Sequence, residues 1–163
     1  MRDDEESRCY VDHLVAEHRR LHAMLREMRA AIVGSIEPDG DPSFAKVAQV
    51  LGKLHGELEH HFAEEEKGGC LDEAVSRCPR LSPEARAIKA EHPEILAEID
   101  RLIEQAAKLQ PDHQNQFMIQ QAFDRLYQRL CAHEAAENQL LAQGLGTSVN
   151  GDGNGRPTLI YDV

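Results

Sequence analysis

Apolar residues recur every three or four positions in four stretches of the chain, and this spacing predicts four amphipathic helices. The stripes run from Val11 to Ile32, from Val47 to Leu58, from Ile88 to Leu109 and from Ile119 to Leu140. Helices with one apolar face bury it against one another. We therefore expect an all-α fold, an antiparallel up-down-up-down four-helix bundle.

Segments rich in Gly, Pro and Asp separate the first three stripes. Gly34 to Gly40 predicts a loop, and Asp41-Pro42 then predicts the start of the second helix, with Asp as the N-cap and Pro at the first helical position. Gly68-Gly69 ends this helix. The connection from Cys70 to Arg80 has room for a short helix of its own.

Proline and glycine also delimit the second pair of helices. Ser82-Pro83 predicts the start of the third helix. Pro93 lies inside it and removes a backbone hydrogen bond, so we expect either a kink or a split-off first part. Pro111-Asp112 makes the turn to the fourth helix, and Gly144 and Gly146 close that helix.

The length of 163 residues favours one domain with a core that needs no disulfides. We assign residues 11–145 to the bundle. Residues 1–10 are a charged N-terminal arm, either loose or leading into the first helix. Residues 146–163 form a Gly/Asn-rich C-terminal tail, for which disorder and docking of its apolar end on the bundle or on a partner both stay open.

Six polar residues occupy places on the apolar stripes, where their side chains point into the bundle. They are His18, His61, Glu65, His92, His133 and Glu137. An ionised carboxylate in an apolar core is very unfavourable unless it is paired or bound to a metal. The predicted hairpins place the four histidines at comparable heights near one end of the bundle, so we expect the six side chains to converge.

The same pattern occurs twice. Glu17-His18 is followed by Leu21 as Glu91-His92 is followed by Ile95, and both His61 and His133 have a glutamate four residues later. Residues four apart lie on one face of a helix. Two hairpins of like design predict a pseudo-twofold bundle.

Four imidazoles and two carboxylates suit two transition-metal ions, each with two histidines, with the carboxylates as bridges. These donors favour Fe, Mn, Co or Zn over Mg or Ca. We expect two Fe ions, with Zn or Mn as substitutes.

With these four motifs in this order, the sequence resembles the hemerythrin-like HHE cation-binding domain over about residues 11 to 145. The resemblance implies an oxo- or hydroxo-bridged di-iron centre held by the six residues. Oxygen-carrying hemerythrins have a fifth histidine, on the third helix, but here Ile88 and Leu96 flank His92 at four residues' distance. The pattern of four His and two Glu is more similar to the bacterial and iron-centre-repair branch, which argues against simple O2 carriage.

Composition and charge narrow the function classes. The net charge of -11 argues against nucleic-acid binding. No apolar run is long enough to span a membrane, and the charged start is no signal peptide, so we expect a cytoplasmic protein, monomeric or weakly dimeric. The four cysteines show no CxxC spacing and are predicted to be free thiols, with a Cys70–Cys78 contact as the alternative.

The remaining histidines are assigned other roles. His13, His60 and His113 are expected on solvated faces and His55 in a structural role, and Glu57, Glu64, Glu66 and Glu134 are also expected on solvated faces. His22 stays open, since it lies four residues from His18 and could be a fifth imidazole ligand or an edge residue. Tyr10 and Tyr161 could cap the site if their segments fold back.

Three functional hypotheses follow. The first is a di-iron protein that binds or reacts with O2, NO or peroxide. The second is an enzyme at the same centre that decomposes peroxide, reduces NO or oxidises ferrous iron. The third is a module that stores, donates or senses iron.

Overall fold

The computed structural model describes residues 2–36, 42–67 and 69–146, with side chains from residue 12 onward. The helices are α1 (Arg2–Val33), α2 (Ala45–Glu66), α3 (Cys70–Arg77), α4 (Ser82–Lys108) and α5 (His113–Leu145). Single 3-10 turns lie at Gly34–Ile36 and Pro79–Leu81. The described ranges contain no strand, which confirms the all-α class.

The four long helices form the predicted bundle. Each packs against the next, α1 on α2, α2 on α4 and α4 on α5, and α5 closes the ring against α1. Glu17 on α1 lies beside His61 on α2, and Glu27 lies beside Lys46, so these two helices run antiparallel. The short turn between Lys108 and His113 makes α4 and α5 antiparallel as well. The short helix α3 packs mainly on α5. In the described part of the chain, every helix is too short or too polar to cross a membrane.

The apolar stripes meet in a large cluster that we call the main core. Its members come from all four long helices and lie between Leu21 and Ile32, Phe44 and Phe62, Ile95 and Ala106, and Ile119 and Leu130. Met28, Leu54, Ile99 and Phe123 are completely buried. Close packing of such side chains is the largest favourable contribution to folding.

A second, smaller cluster lies on the opposite side of the six polar stripe residues from the main core, and we call it the cap. It consists of Leu14, Cys70, Leu71, Ala74, Leu81, Ala85, Ile88, Leu140 and Leu141. The short helix predicted between Cys70 and Arg80 is confirmed as α3, and it supplies the centre of this cluster. The polar residues therefore do not lie at an open end of the bundle, because the cap covers them.

Two helix ends differ from the prediction. The second helix begins at Ala45, not at Asp41-Pro42, of which Asp41 lies outside the described residues. The Ser43 amide donates to the Ser35 carbonyl at 2.8 Å, which continues the loop past Pro42. The Ser43 hydroxyl then accepts from the Ala45 amide at 3.1 Å, which satisfies the first amide of the helix.

The fourth helix continues through Gly144 and ends before Gly146, whose φ of 66° is the left-handed conformation that favours glycine. A Cβ on Gly144 would lie 2.5 Å from the Ala74 Cβ. Gly144 is thus the point where α3 and α5 approach closely, and the prediction that it closes the helix is wrong.

Pro93 does not interrupt its helix. Helix α4 is one element from Ser82 to Lys108, so the alternative of a split helix is wrong. The Pro93 side chain is exposed, whereas its neighbour His92 is buried on the inner face. The ring therefore lies on the solvent side and leaves the face that carries His92 intact.

The sequence predicts an N-terminal arm and a C-terminal tail outside the bundle. The residues of the predicted N-terminal arm continue α1 from Arg2 on. The C-terminal tail lies outside the described residues after Gly146. Cys70, Cys78 and Cys131 are free in the structure.

Candidate metal centre

The six polar stripe residues form one buried layer between the main core and the cap, which we call the ligand layer. Helices α1, α4 and α5 each run from the cap through the layer to the main core: on α1, for example, Leu14 belongs to the cap, His18 to the layer and Leu21 to the main core. None of the six residues is more than 7% exposed, and Glu137 is fully buried. The structure thus brings together every residue that the sequence selected.

Glu65 lies between two histidines from different helices. Its Oε1 is 3.2 Å from His61 Nε2, and its Oε2 is 3.3 Å from His92 Nε2. The i to i+4 spacing on α2 brings His61 to one oxygen, and the packing of α4 on α2 brings His92 to the other.

Glu137 repeats this arrangement across the bundle. Its Oε1 is 3.0 Å from His133 Nε2 on the same helix, and its Oε2 is 3.4 Å from His18 Nε2 on α1. Each carboxylate therefore offers one oxygen to each half of the layer.

The donor atoms fall into two groups of four that share both glutamates. One group contains His18 and His61, and the other contains His92 and His133; within each group the donor atoms lie within 4.8 Å of one another. Two imidazoles with two shared carboxylates per group is a donor set that suits first-row transition metals.

The buried donor atoms lack other partners. Among the residues that the structure describes, both oxygens of Glu65, both of Glu137 and the Nε2 atoms of His18, His92 and His133 have no hydrogen-bond partner. The contacts within the layer have ion-pair distances but not hydrogen-bond geometry. Buried polar atoms without partners are costly, and two cations held between them would satisfy all seven, so the residues fit a two-metal centre.

Three of the histidines are held from outside by carboxylates. The Nδ1 of His61 donates to Glu17 at 2.8 Å, and the Nδ1 of His133 donates to Glu91 at 2.8 Å. These bonds leave each Nε2 free to face the layer and make the imidazole a better donor. Glu17 and Glu91 directly precede His18 and His92 in the repeated motif. The repeat therefore points to these two glutamates, although the apolar stripes do not.

The third outer carboxylate is half exposed, as expected for a solvated face, but it also has a contact that the prediction omits. Glu66 was expected on a solvated face, but its Oε1 accepts from His92 Nδ1 at 2.9 Å. The side chain is half exposed, which is why its position on the helix resembled that of a surface residue. Its place directly after Glu65 is the signal that could have identified it.

An aromatic side chain forms one wall of the layer. The Phe62 ring stacks on the His92 ring with centroids 4.0 Å apart and an angle of 2° between the planes. It also meets the edge of His133 at 5.5 Å. Phe62 therefore limits rotation of two imidazoles and separates the layer from water on that side.

The buried charges shift one another's pKa values. Burial alone would lower the pKa of His133, but the carboxylates of Glu137 and Glu91 outweigh it and raise the pKa to about 9. His18 is shifted in the same direction, with burial again opposed by Glu137. Without metal, protons on these imidazoles therefore balance the buried carboxylates.

The two glutamates respond in opposite directions. Burial, together with the charge of Glu137, raises the pKa of Glu65 above its ordinary value. Burial also disfavours ionised Glu137, but the adjacent imidazoles of His133 and His18 outweigh it and lower its pKa. The Glu65 carboxylate is thus the less stable of the two as an anion.

The other histidines lie outside the layer. His22 Nε2 lies 2.8 Å from Glu134 Oε2, and His22 is in neither group of donors, so the structure places it at the edge. Glu134 is correspondingly mostly buried rather than solvated. His55 faces Asp100 at 3.4 Å, and His113 is exposed. The side chains of Tyr10 and Tyr161 lie outside the described part of the structure.

A cleft of about 320 Å³ leads from the surface to the layer. It is lined by residues of α1, α2 and the segment before α3, including His13, Glu17, Glu64 and the buried Glu65. At its mouth, His13 Nε2 lies 3.2 Å from Glu64 Oε2 and 3.5 Å from Glu17 Oε1. A small molecule or ion in this cleft would meet one carboxylate of the ligand layer.

Comparison with protein-family models gives a match to the first part of the chain. Residues 9–68 match the family model described as Hemerythrin HHE cation binding domain. This region includes His18, His61 and Glu65, and it ends just before α3. No curated protein and no solved structure matches the chain significantly.

Proposed function

We propose that the chain is a hemerythrin-like, non-haem di-iron protein whose buried centre binds or reacts with O2, NO or peroxide, and the match of residues 9–68 to the hemerythrin HHE cation-binding domain supports this proposal. In this proposal His18 and His61 would hold one ion, His92 and His133 would hold the other, and Glu65 and Glu137 would serve both.

One observation carries the proposal. Glu65 and Glu137 each direct one oxygen to each pair of histidines, and none of the four oxygens has a hydrogen-bond partner. A site for a single ion would need only one of the two groups of donors. The symmetric use of both carboxylates favours two ions, with Zn or Mn as substitutes for iron in vitro.

The side chains around the layer have defined tasks. The iron ions, when bound, supply one-electron chemistry and coordination positions for a small molecule. Glu17, Glu66 and Glu91 orient three imidazoles, as described above. The cap and Phe62 exclude bulk water, while the cleft beside Glu65 is wide enough for a small ligand.

A module for storing, donating or sensing iron is a second candidate, because the cleft that reaches Glu65 has an imidazole and two carboxylates at its mouth. Such a route suits exchange of cations as well as entry of a diatomic molecule. The similarity of the ligand pattern to the iron-centre-repair branch also supports this candidate.

An enzyme with its own acid or nucleophile is less favoured. Cys70 is the thiol nearest the layer among the residues lining the cleft. Burial, with the charges of Glu65 and Glu137, raises its pKa to about 12, so it stays a thiol and is a poor nucleophile. Catalysis would therefore depend on the metal centre alone.

The test is reconstitution of the metal-free protein with two equivalents of Fe²⁺ without oxygen, followed by O2, NO or peroxide. A reversible spectral change supports a carrier or sensor, turnover supports an enzyme, and transfer of iron to an apo-acceptor supports storage or repair. Glu59→Gln, an exposed change on α2, serves as the control and should behave as wild type. An iron-loaded protein whose spectrum responds to none of the three molecules would contradict the reactive-centre proposal.

A further inference from the structure

The two halves of the ligand layer are not equally supported from outside. Between α1 and α2, Glu17 accepts a hydrogen bond from His61 Nδ1. Between α4 and α5, Glu91 accepts the corresponding hydrogen bond from His133 Nδ1. These two bonds are related by the internal repeat. The repeat therefore also predicts where the partners of His18 and His92 should be.

His92 has its partner and His18 does not. Glu66, directly after Glu65, accepts from His92 Nδ1. The residue directly after Glu137, in the repeat-related place, is Asn138. Among the described residues, His18 Nδ1 has no hydrogen-bond partner at all.

Asn138 is itself unsatisfied. Its Oδ1 is a buried oxygen without a hydrogen-bond partner. The other carboxylate near His18 is Glu134, and its Oε2 is engaged by His22 at 2.8 Å. His18 is thus the one imidazole of the layer without a carboxylate on its outer nitrogen.

Outer carboxylates strengthen histidine ligands, and losing such a partner typically lowers metal affinity about 10–100-fold. The pair His92 and His133 has two such partners, and the pair His18 and His61 has one. The cleft also lies on the weaker side, since most of its lining comes from α1 and α2, the helices that carry His18 and His61.

We propose that the two metal positions are unequal: the position of His92 and His133 fills first and holds its ion, whereas that of His18 and His61 is the exchangeable one, and Asn138 sets this difference. The inference rests on the two-metal function proposed above, and it assigns exchange to one half of the site.

The test is an anaerobic titration of the metal-free protein with Fe²⁺ in competition with a coloured chelator. Wild type should bind two ions with dissociation constants about 10–100-fold apart. Asn138→Glu should tighten the weaker position and bring the two constants together. Glu66→Asn should also bring them together, but by weakening the tighter position.

Matched variants control for charge and fold. Gln139→Glu adds the same charge as Asn138→Glu at a neighbouring exposed place, and Glu59→Asn removes the same charge as Glu66→Asn on the same helix; both should keep the wild-type ratio. His18→Ala should retain the tight metal position, whereas His92→Ala should abolish it. These two variants therefore show which pair of histidines forms the tight position. Circular dichroism checks the helix content, and if Asn138→Glu fails to fold, Glu66→Asn decides.

The outcomes separate the two proposals. Two ions bound with equal affinity, or a ratio unchanged by both Asn138→Glu and Glu66→Asn, would overturn the inference while leaving a two-metal protein. Fewer than two ions bound by wild type would overturn the proposed function as well.

Discussion

The main core and the ligand layer are buried to a similar degree, but their atoms are satisfied in different ways. In the main core, Leu54 or Phe123 gains its stability from neighbouring apolar side chains that the chain itself supplies. In the layer, Glu65 and Glu137 place four oxygens where no hydrogen-bond donor meets them. The main core is thus satisfied by the chain itself, whereas the layer leaves buried oxygens that a bound cation would satisfy.

The largest effect should come from the main core. Phe123→Ala should lower the free energy of unfolding by about 3–5 kcal/mol, because it opens a cavity among fully buried side chains. The folded fraction should still bind metal in the wild-type amount. Urea denaturation measures the loss, and Phe117→Ala, at a side chain that is 59% exposed, should change stability by less than about 0.5 kcal/mol. Equal losses in both variants would contradict the account of the core.

Removing the metal should lower the stability of the protein through the ligand layer, without changing the packing of the main core. With free Fe²⁺ at 100 to 1,000 times the dissociation constant of a metal position, the ion bound there should stabilise the protein by about 3–4 kcal/mol relative to the metal-free state. Thermal denaturation with and without a chelator measures this difference. An identical midpoint in both conditions would mean that the layer binds no cation in the folded state.

The cap offers a test between these two regions. Gly144→Ala should destabilise the protein by about 1–3 kcal/mol, because the new Cβ would lie 2.5 Å from the Ala74 Cβ and would push α3 from α5. Metal should also dissociate faster, since the cap covers the layer. Gln143→Ala, at the exposed neighbouring place, should leave both unchanged. If Gly144→Ala left both the stability and the rate of metal dissociation unchanged, this would show that α3 is packed only loosely on α5.

The smallest expected change in stability is a gain rather than a loss. Glu65→Gln should abolish binding of the second ion yet make the metal-free protein about 1–2 kcal/mol more stable, because a neutral amide of the same shape replaces a carboxyl group whose charged form is disfavoured by burial, which raises its pKa. Urea denaturation of both proteins in chelator tests it. A metal-free variant that is clearly less stable than metal-free wild type would show that Glu65 stabilises the fold by itself.

Sequence reasoning succeeded where a single helix face carried the information. His18, His61, His92 and His133 could be found because each takes the place of an apolar residue in a regular stripe. The start of α2 could not be found this way, because the hydrogen bond from Ser43 to Ser35 overrides the local signal of Pro42.

The outer carboxylates were missed for a different reason. Glu17, Glu66 and Glu91 lie beside the stripe, and their long side chains reach a histidine on a neighbouring helix. Helix periodicity does not encode that reach. The close approach of Gly144 to Ala74 likewise depends on where α3 docks, which the pattern of α3 alone leaves open.

The most direct test of the two-metal centre is the iron content of reconstituted protein together with its absorption spectrum. The account predicts two iron ions per folded chain and, after exposure to air, the charge-transfer bands of an oxo-bridged pair. One ion or none per chain after anaerobic reconstitution, with no such band, would contradict the assignment of Glu65 and Glu137 as bridges.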